Sequence, residues 1–263
     1  MKPLIVLKLG GSVITDKSSK TPKANTEAIS RLAEEVAEAY SKGTFSLIIV
    51  HGAGSFGHGI VKETGIDKGI KNREQLVAFA EVQRLQNVLN AIVTEELIRA
   101  KLPAVPCQAS SHAIMEKGKL RSMDTGAVRG MLETGLVPVL YGVPAYDTEQ
   151  GCSILSGDQI APYLAKKLNA SKIIHGTDVD GVFTADPKKD KNAKLIGEIT
   201  RANLEDVKKS LGGSANTDVT GGMAGKLQEI ADIGIESQIT NALTPGNIAK
   251  ALLGGKIGTL IRV

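Results

Sequence analysis

Two glycine-rich segments of the chain could bind phosphate groups. The segment Lys8–Ser12 reads KLGGS, and the segment His51–His58 reads HGAGSFGH. Glycines let backbone amides approach an anion closely, and consecutive amides form an anion-binding concavity. The basic residues Lys8, Lys17 and His58 accompany these segments. The pattern therefore predicts either two anion sites or a polyphosphate site beside an acceptor site. The alternative is that tight turns need glycine for conformational reasons alone.

Other phosphate-binding fingerprints fit the sequence poorly. Gly52–Gly57 has the GxGxxG spacing, but a dinucleotide fold also needs a second strand that ends in an acidic residue roughly 20 positions later. Residues 60–75 contain no such strand, which disfavours a dehydrogenase. A Walker A loop is also absent, because three rather than four residues separate Gly221 from Gly225, which precedes Lys226.

Two later motifs carry charge near predicted turns. Gly176–Gly181 (GTDVDG) holds two aspartates that are typical of a turn and lacks the remaining ligands of an EF-hand loop. Asp218–Lys226 (DVTGGMAGK) predicts a helix that begins near Thr220. Lys226 would lie about two turns into that helix and could reach an anion at its N-terminus. A solvated helix lysine is the alternative.

The histidines and cysteines do not indicate nucleophilic or zinc chemistry. The sequence has no GxSxG elbow, and neither cysteine has an identifiable base partner. No HxxxH spacing or Cys/His cluster occurs, so we predict no metal-ligating residues. Of the histidines, only His58 is flanked by glycines and is a functional candidate. The residues concerned are His51, His58, His112, His175, Cys107 and Cys152.

Short apolar runs that end in glycine alternate with helical patterns. This alternation predicts an α/β fold, a three-layer αβα sandwich with a mainly parallel twisted sheet. In such sheets ligands bind at the carboxyl ends of the strands, where these glycines lie. A change in pattern near residues 150–156 predicts a boundary between residues 1–155 and 156–263. The predicted strands are Leu4–Leu9, Phe45–Val50, Leu136–Tyr141 and Lys172–His175, and the predicted helices are 26–42, 74–100, 156–168 and 220–233.

Composition excludes several classes of protein. The chain has 263 residues, of which 42% are hydrophobic, and this apolar fraction excludes disorder. A net charge of +4 and 3% aromatic residues do not indicate nucleic-acid binding. No window approaches the roughly 18 apolar residues of a membrane span, and the first residues are not typical of a signal peptide. Two cysteines without CxxC spacing favour a reduced, cytoplasmic protein.

These motifs resemble those of the amino acid kinase superfamily, and in particular its isopentenyl phosphate kinases. The resemblance covers nearly the whole chain. KLGGS and TDVDG occur across the superfamily, whereas HGAGSFGH discriminates, because its final His58 resembles the acceptor-phosphate ligand of isopentenyl phosphate kinases. The matching segments are Lys8–Ser12, His51–His58, Ser156–Asp158, Gly176–Gly181 and Asp218–Met223 with Lys226.

The resemblance implies an amino acid kinase fold and transfer of a phosphoryl group from ATP to isopentenyl phosphate, which yields isopentenyl diphosphate in an alternative mevalonate route. It also implies Mg²⁺ as the cofactor, a homodimer, an acceptor lobe over 1–155 and a nucleotide lobe over 156–263. Lys17 would stabilise the transferring group, and Asp158 would orient the lysines. The implied catalytic residues are Lys8, Lys17, His58 and Asp158. The implied acceptor ligands are Ala53, Gly54, His58 and Gly157. The implied ATP ligands are Lys8, Gly10, Gly11, Ser12, Gly54, Asp178, Gly222 and Lys226.

Other functions stay open at this point. A sibling kinase would phosphorylate a carboxylate, carbamate, phosphonate or nucleotide. A non-catalytic nucleotide-binding regulator is a second alternative, although Lys8, Lys17 and Lys226 are all present. Phe79 and Val82 on the predicted helix 74–100 could line a pocket for the acceptor tail, and ordinary core packing is the alternative for each of them.

Overall fold

A computed structural model describes residues 2–16, 19, 21–185, 187, 190–212 and 222–263. In that part the chain forms twelve strands and nine α-helices. The strands are β1 (Leu4–Leu9), β2 (Ser46–His51), β3 (Ala104–Pro106), β4 (Ala113–Glu116), β5 (Lys119–Met123), β6 (Val137–Tyr141), β7 (Val143–Ala145), β8 (Ser153–Leu155), β9 (Lys172–Thr177), β10 (Glu198–Thr200), β11 (Ser237–Asn241) and β12 (Thr259–Arg262). The α-helices are α1 (Gly11–Ile14), α2 (Thr26–Ser41), α3 (His58–Thr64), α4 (Arg73–Arg99), α5 (Gly126–Glu133), α6 (Gly157–Lys167), α7 (Leu204–Gly212), α8 (Gly222–Ile233) and α9 (Asn247–Leu252).

Eight strands form one sheet in the order β10-β12-β11-β9-β1-β2-β6-β3. Neighbours in this sheet run parallel, except for β11 and β12, which run antiparallel. The remaining strands form two hairpins, β4–β5 and β7–β8. The prediction of a mainly parallel sheet is therefore confirmed. Since β1 pairs with β2 on one side and β9 on the other, the carboxyl ends of these three strands meet at one edge.

Helices cover both faces of the sheet, as predicted. Successive side chains of a strand point to opposite faces, and β1 follows this rule: Leu7 and Leu9 pack in one core, and Leu4 and Val6 pack in the other. The first core also contains residues of α2, α4 and α9. The second contains residues of α5 and α6. Each fully buried Leu, Ile or Val side chain stabilises the fold by about 1.5–3 kcal/mol.

Most predicted elements are confirmed with small shifts at their ends. Asn25 caps α2, because its side chain accepts a hydrogen bond from the Ala28 amide at 3.2 Å. The second strand ends one residue later than predicted, so His51 belongs to β2. Ser156 occupies the N-cap position of α6, but its side chain makes no capping hydrogen bond. The predicted cap at Thr220 lies outside the described residues.

Helix α4 is the longest helix, with 27 residues. One row of its buried residues repeats every four residues and changes from apolar to polar along the helix, and a second buried row, Leu89, Val93 and Leu97, is apolar. Among the helices of the described ranges, none combines the length and apolar character needed to cross a membrane. The buried residues at this spacing are Ala78, Val82, Gln86, Asn90 and Thr94.

Candidate active site

The two glycine-rich segments are in direct backbone contact. A Cβ atom added at Gly11 would lie 2.4 Å from the amide nitrogen of Gly54, and one added at Gly52 would lie 2.6 Å from that of Gly11. Gly54 also has a φ of +51°, and a Cβ there would lie 2.0 Å from Oγ1 of Thr15. Such distances exclude any side chain at these positions. The glycines are therefore required by the approach of one loop to the other, and not only by turn conformation.

The parallel sheet brings these loops together. Leu9 at the end of β1 pairs with His51 at the end of β2. The Gly52 amide donates a hydrogen bond to the Leu9 carbonyl at 3.0 Å, and the Gly10 amide donates to the Gly176 carbonyl at 2.8 Å. The ends of β9, β1 and β2 thus form one continuous edge.

Several amides at this edge have no hydrogen-bond acceptor within the described ranges. They belong to the first loop, to the second loop and to the first residue of α6, which lies beside β1 and β2. Amides at the start of a helix carry partial positive charge and favour anions. The arrangement is therefore suited to bind phosphate oxygens. The amides are those of Gly11, Ser12, Ala53, Gly54 and Gly157.

An ion pair between a buried lysine and a partly exposed aspartate borders these amides. Lys8 shares the face of β1 that bears Leu4 and Val6, which is the face covered by α6. Its Nζ lies 3.0 Å from the carboxylate of Asp158 in the first turn of α6. Lys8 is 6% exposed, whereas the Asp158 side chain is 40% exposed. The lysine charge is thus fixed in place, and one side of its partner faces solvent.

Three of the remaining predicted residues are described on neighbouring elements, and the others lie wholly or partly outside the described part. His58 is the exposed first residue of α3, Asp178 is exposed after β9, and Gly222 begins α8. Lys17 and the side chain of Lys226 lie outside the described residues. The predicted residues that the structure brings together are Lys8, Gly10, Gly11, Ser12, Ala53, Gly54, Gly157 and Asp158.

A small apolar cluster adjoins the second loop. Val82 is buried in it with Ile66 and Cys152, and Phe79 packs against it. A Cβ at Gly57 would lie 3.1 Å from Cγ1 of Val82, so the cluster begins where the loop ends. Apolar side chains therefore lie beside a segment that is suited to bind phosphate.

The described part of the chain shows no protein metal site beside these groups. Across residues 2–16, 19, 21–185, 187, 190–212 and 222–263, no three His, Cys, Asp or Glu side chains are grouped as a protein metal site would require. The carboxylate that borders the amides, Asp158, is paired with Lys8. A divalent cation at this place would therefore depend on phosphate oxygens of a ligand for most of its coordination.

Sequence reasoning missed a buried polar group beneath the second loop. Nδ1 of His51 lies 3.0 Å from the Gly52 carbonyl, and its Nε2 lies 3.0 Å from Nδ2 of Asn90. The His51 ring stacks on Tyr141 at a centroid distance of 5.4 Å. Complete burial lowers the pKa of His51 to about 4, although the hydrogen bond to Gly52 acts in the opposite direction. The available signal was the polar residues Gln86, Asn90 and Thr94, which recur every four positions along the long helix.

Sequence comparison defines the class of protein. The sequence profile of the Amino acid kinase family matches residues 3–241. The chain therefore belongs to the amino acid kinase family.

Individual relatives are more specific. The chain is 42% identical to the isopentenyl phosphate kinase of Methanothermobacter thermautotrophicus, over 98% of both chains. It is 38% identical to the isopentenyl phosphate kinase of Methanocaldococcus jannaschii, again over 98% of both chains. A solved structure of an isopentenyl phosphate kinase superimposes with a TM-score of 0.83 at 38% identity, covering 98% of this chain and 99% of that one. The predicted amino acid kinase fold is confirmed.

Proposed function

We propose that the protein phosphorylates isopentenyl phosphate with ATP and releases isopentenyl diphosphate and ADP, a step of isoprenoid biosynthesis. The observation that carries this proposal is the backbone contact between the two glycine loops, with the Lys8–Asp158 pair beside it. The contact places two sets of amides next to each other, as transfer between two phosphate-bearing substrates requires. Similarity to isopentenyl phosphate kinases over nearly the full length supports the acceptor.

The reaction requires no general base. The second pKa of a phosphate monoester is near 6, so the attacking oxygen of the acceptor is largely ionised at pH 7. Phosphoryl transfer instead depends on positioning and on stabilising negative charge. A cleft rich in amides and lysine, without a catalytic carboxylate at the acceptor, is therefore sufficient.

Positive charge and amide dipoles overcome the repulsion between the two anions. A preorganised donor aimed at developing charge contributes about 3–4 kcal/mol to transition-state stabilisation. Lys17 stabilises the transferring phosphoryl group, and Asp158 orients Lys8. The residues that hold the nucleotide are Lys8, Gly10, Gly11, Ser12, Gly54, Asp178, Gly222 and Lys226. The residues that hold the acceptor phosphate are Ala53, Gly54, His58 and Gly157.

The apolar cluster beside the second loop receives the tail of the acceptor. Val82 and Phe79 lie one helical turn or less apart on α4, and the phosphate-binding residue His58 follows Gly57 directly. A short hydrocarbon chain attached to a phosphate at the loop would lie against them. Residues 1–155 then act as the acceptor lobe and residues 156–263 as the nucleotide lobe of one continuous domain.

As the cofactor, Mg²⁺ would be held mainly by the oxygens of ATP and would supply neutralisation of the charge on the transferring phosphates. The residues of this chain contribute the lysine charge and the amides around the complex.

The protein acts as a cytoplasmic homodimer. Its two cysteines are buried and not joined by a disulfide, as is usual in a reducing compartment. Strand β3 is an edge of the main sheet, and Val77, Val88 and Ile98 on α4 are exposed. Light scattering after size exclusion should therefore give twice the chain mass of 27.6 kDa.

Phosphorus NMR of the purified protein with Mg-ATP and isopentenyl phosphate tests the function directly. A new pair of diphosphate doublets that grows together with ADP is the expected result. If ATP binds without turnover, isopentenyl phosphate is not the acceptor. Phosphonates, nucleotides and carboxylates would then be compared, with hydroxylamine to trap any acyl phosphate.

A further inference from the structure

His51 and Lys8 belong to neighbouring strands but face opposite sides of the sheet. Lys8 pairs with Val50 and points to the side of α6, whereas His51 pairs with Leu9. His51 therefore points to the side of α4, where Asn90 contacts it. The imidazole is 0% exposed and cannot touch a substrate. Any influence on the reaction must pass through the second loop.

The contacts of His51 fix its tautomer. A carbonyl oxygen only accepts hydrogen bonds, so Nδ1 must carry the proton that it donates to Gly52. In a neutral ring Nε2 is then an acceptor, and it receives a hydrogen bond from the side-chain amide of Asn90. Burial favours the neutral ring. Both ring nitrogens are thus satisfied in one tautomer only.

This hydrogen bond sets the direction of the next peptide. In a trans peptide the carbonyl and the following N–H point in opposite directions within one plane. With the Gly52 carbonyl directed at the His51 ring on the α4 side, the Ala53 N–H is directed to the other side of the loop. That side holds Lys8 and the first residues of α6.

A second residue of α4 supports the same loop conformation. Gln86 lies one helical turn before Asn90 and is also 0% exposed. Its Nε2 lies 3.5 Å from the Ala53 carbonyl. Two successive carbonyls of the loop are therefore held by side chains: that of Gly52 by His51, which Asn90 of α4 contacts, and that of Ala53 by Gln86 of α4.

We propose that His51 is a positioning residue of this kinase: its Nδ1–H holds the Gly52 carbonyl and so aims the Ala53 N–H at the acceptor phosphate. The proposal rests on the proposed function, because it assigns that amide to the acceptor. Asn90 selects the tautomer by donating to Nε2, and stacking on Tyr141 fixes the plane of the ring.

Two substitutions separate positioning from simple packing. In His51→Asn the side-chain amide nitrogen can occupy the place of Nδ1 and still donate to Gly52. In His51→Gln the longer side chain places its amide near Nε2, where it can satisfy Asn90 but not Gly52. Thr94→Val is the matched control, because Thr94 is buried on the same face of α4 and its hydroxyl bonds only to carbonyls of its own helix.

We expect His51→Gln to raise KM for isopentenyl phosphate about 10-fold, as the loss of one well-placed hydrogen bond to a charged group would. His51→Asn should stay within about 3-fold of the wild type, and KM for ATP should change less than about 2-fold in both. The Thr94→Val control should retain both constants. If His51 acts in packing alone, His51→Asn should raise KM for isopentenyl phosphate more than His51→Gln, because glutamine fills the cavity better than asparagine. That result would overturn the proposal.

A measurement on the unmodified protein keeps the proposal testable if the variants fail to fold. With ¹⁵N-labelled histidine, the shifts of the two ring nitrogens distinguish the tautomers, and the signal that remains when His58, His112 and His175 are replaced in turn assigns His51. A neutral ring with its proton on Nδ1 at pH 7 is expected. A proton on Nε2, or a charged ring, would overturn the proposal. If the wild type does not phosphorylate isopentenyl phosphate, the proposed acceptor is rejected. The NMR measurement still determines the tautomer of His51 in that case.

Discussion

The ammonium group of Lys8 lies 3.0 Å from the carboxylate of Asp158, although 150 positions separate them in the chain. The pair joins the central strand β1 to the first turn of α6. It therefore fixes the lysine beside the amides of the two glycine loops. Because Asp158 retains 40% side-chain exposure, a ligand can approach the pair from the solvent side.

Asp158→Asn should lower kcat/KM by about 10- to 100-fold, since the neutral amide no longer holds the Lys8 charge in place. Asp158 is partly exposed, so the melting temperature should fall only slightly. Steady-state kinetics and calorimetry measure the two effects. Asp206→Asn is the control, because Asp206 is 83% exposed on α7. Unchanged kinetics in Asp158→Asn would contradict the assignment.

Lys17→Met should lower kcat by about 100-fold or more and leave both KM values nearly unchanged, because its charge acts chiefly in the transition state. Single-turnover kinetics with saturating substrates measure this effect. Lys20→Met, three positions away in the same segment, is the control and should retain activity. A change in KM alone would remove the transition-state role of Lys17.

His58→Ala should raise KM for isopentenyl phosphate about 10-fold and change KM for ATP much less, because a hydrogen bond to the acceptor phosphate is lost. Initial rates with each substrate varied in turn give both constants. His112→Ala provides a histidine control outside the loop. Equal effects on the two substrates would show that His58 does not bind the acceptor.

Gly11→Ala should abolish most activity, because the added methyl group would lie 2.4 Å from the Gly54 amide and must push the two loops apart. A loss of at least about 100-fold in kcat/KM is expected, as is usual when reacting groups are displaced by roughly 1 Å. Gly59→Ala is the control, since a Cβ there has nothing within 4 Å and alanine favours the helix. If Gly11→Ala stays fully active, close contact of the loops is not needed.

Burial of His51 should make stability depend on pH. The ordinary pKa of histidine is about 6.5, and in the fold it is lowered to about 4. The stabilising contribution of the neutral ring is complete above about pH 6.5 and is lost as pH falls to about 4, because only the unfolded chain binds the proton in that range. Relative to His51→Asn, the wild type should lose about 1.4 kcal/mol of unfolding free energy per pH unit there. Urea titrations at several pH values give the unfolding free energy of both proteins. The same pH dependence in the wild type and in His51→Asn would contradict the prediction.

The main features of the fold followed from local sequence. The strand at Leu4–Leu9 was predictable because its side chains are apolar and glycine follows, and both signals act within a few residues. The apolar residues Val82, Leu85, Leu89 and Ile92, spaced three to four apart, likewise predicted a long helix over 74–100. The shorter strands were not foreseen, because three to five residues carry too little periodicity to distinguish them from loops. These are β3, β4, β5, β7, β8, β10, β11 and β12.

The sequence by itself determined the two glycine segments, the alternation of strands and helices, and a motif order that identifies the family. Only the tertiary structure decided that Gly11 touches Gly54, that Asp158 pairs with Lys8, and that α4 supplies Asn90 to His51. These contacts join residues far apart in the chain, and their distances depend on how the parallel strands and covering helices pack, which no local pattern records.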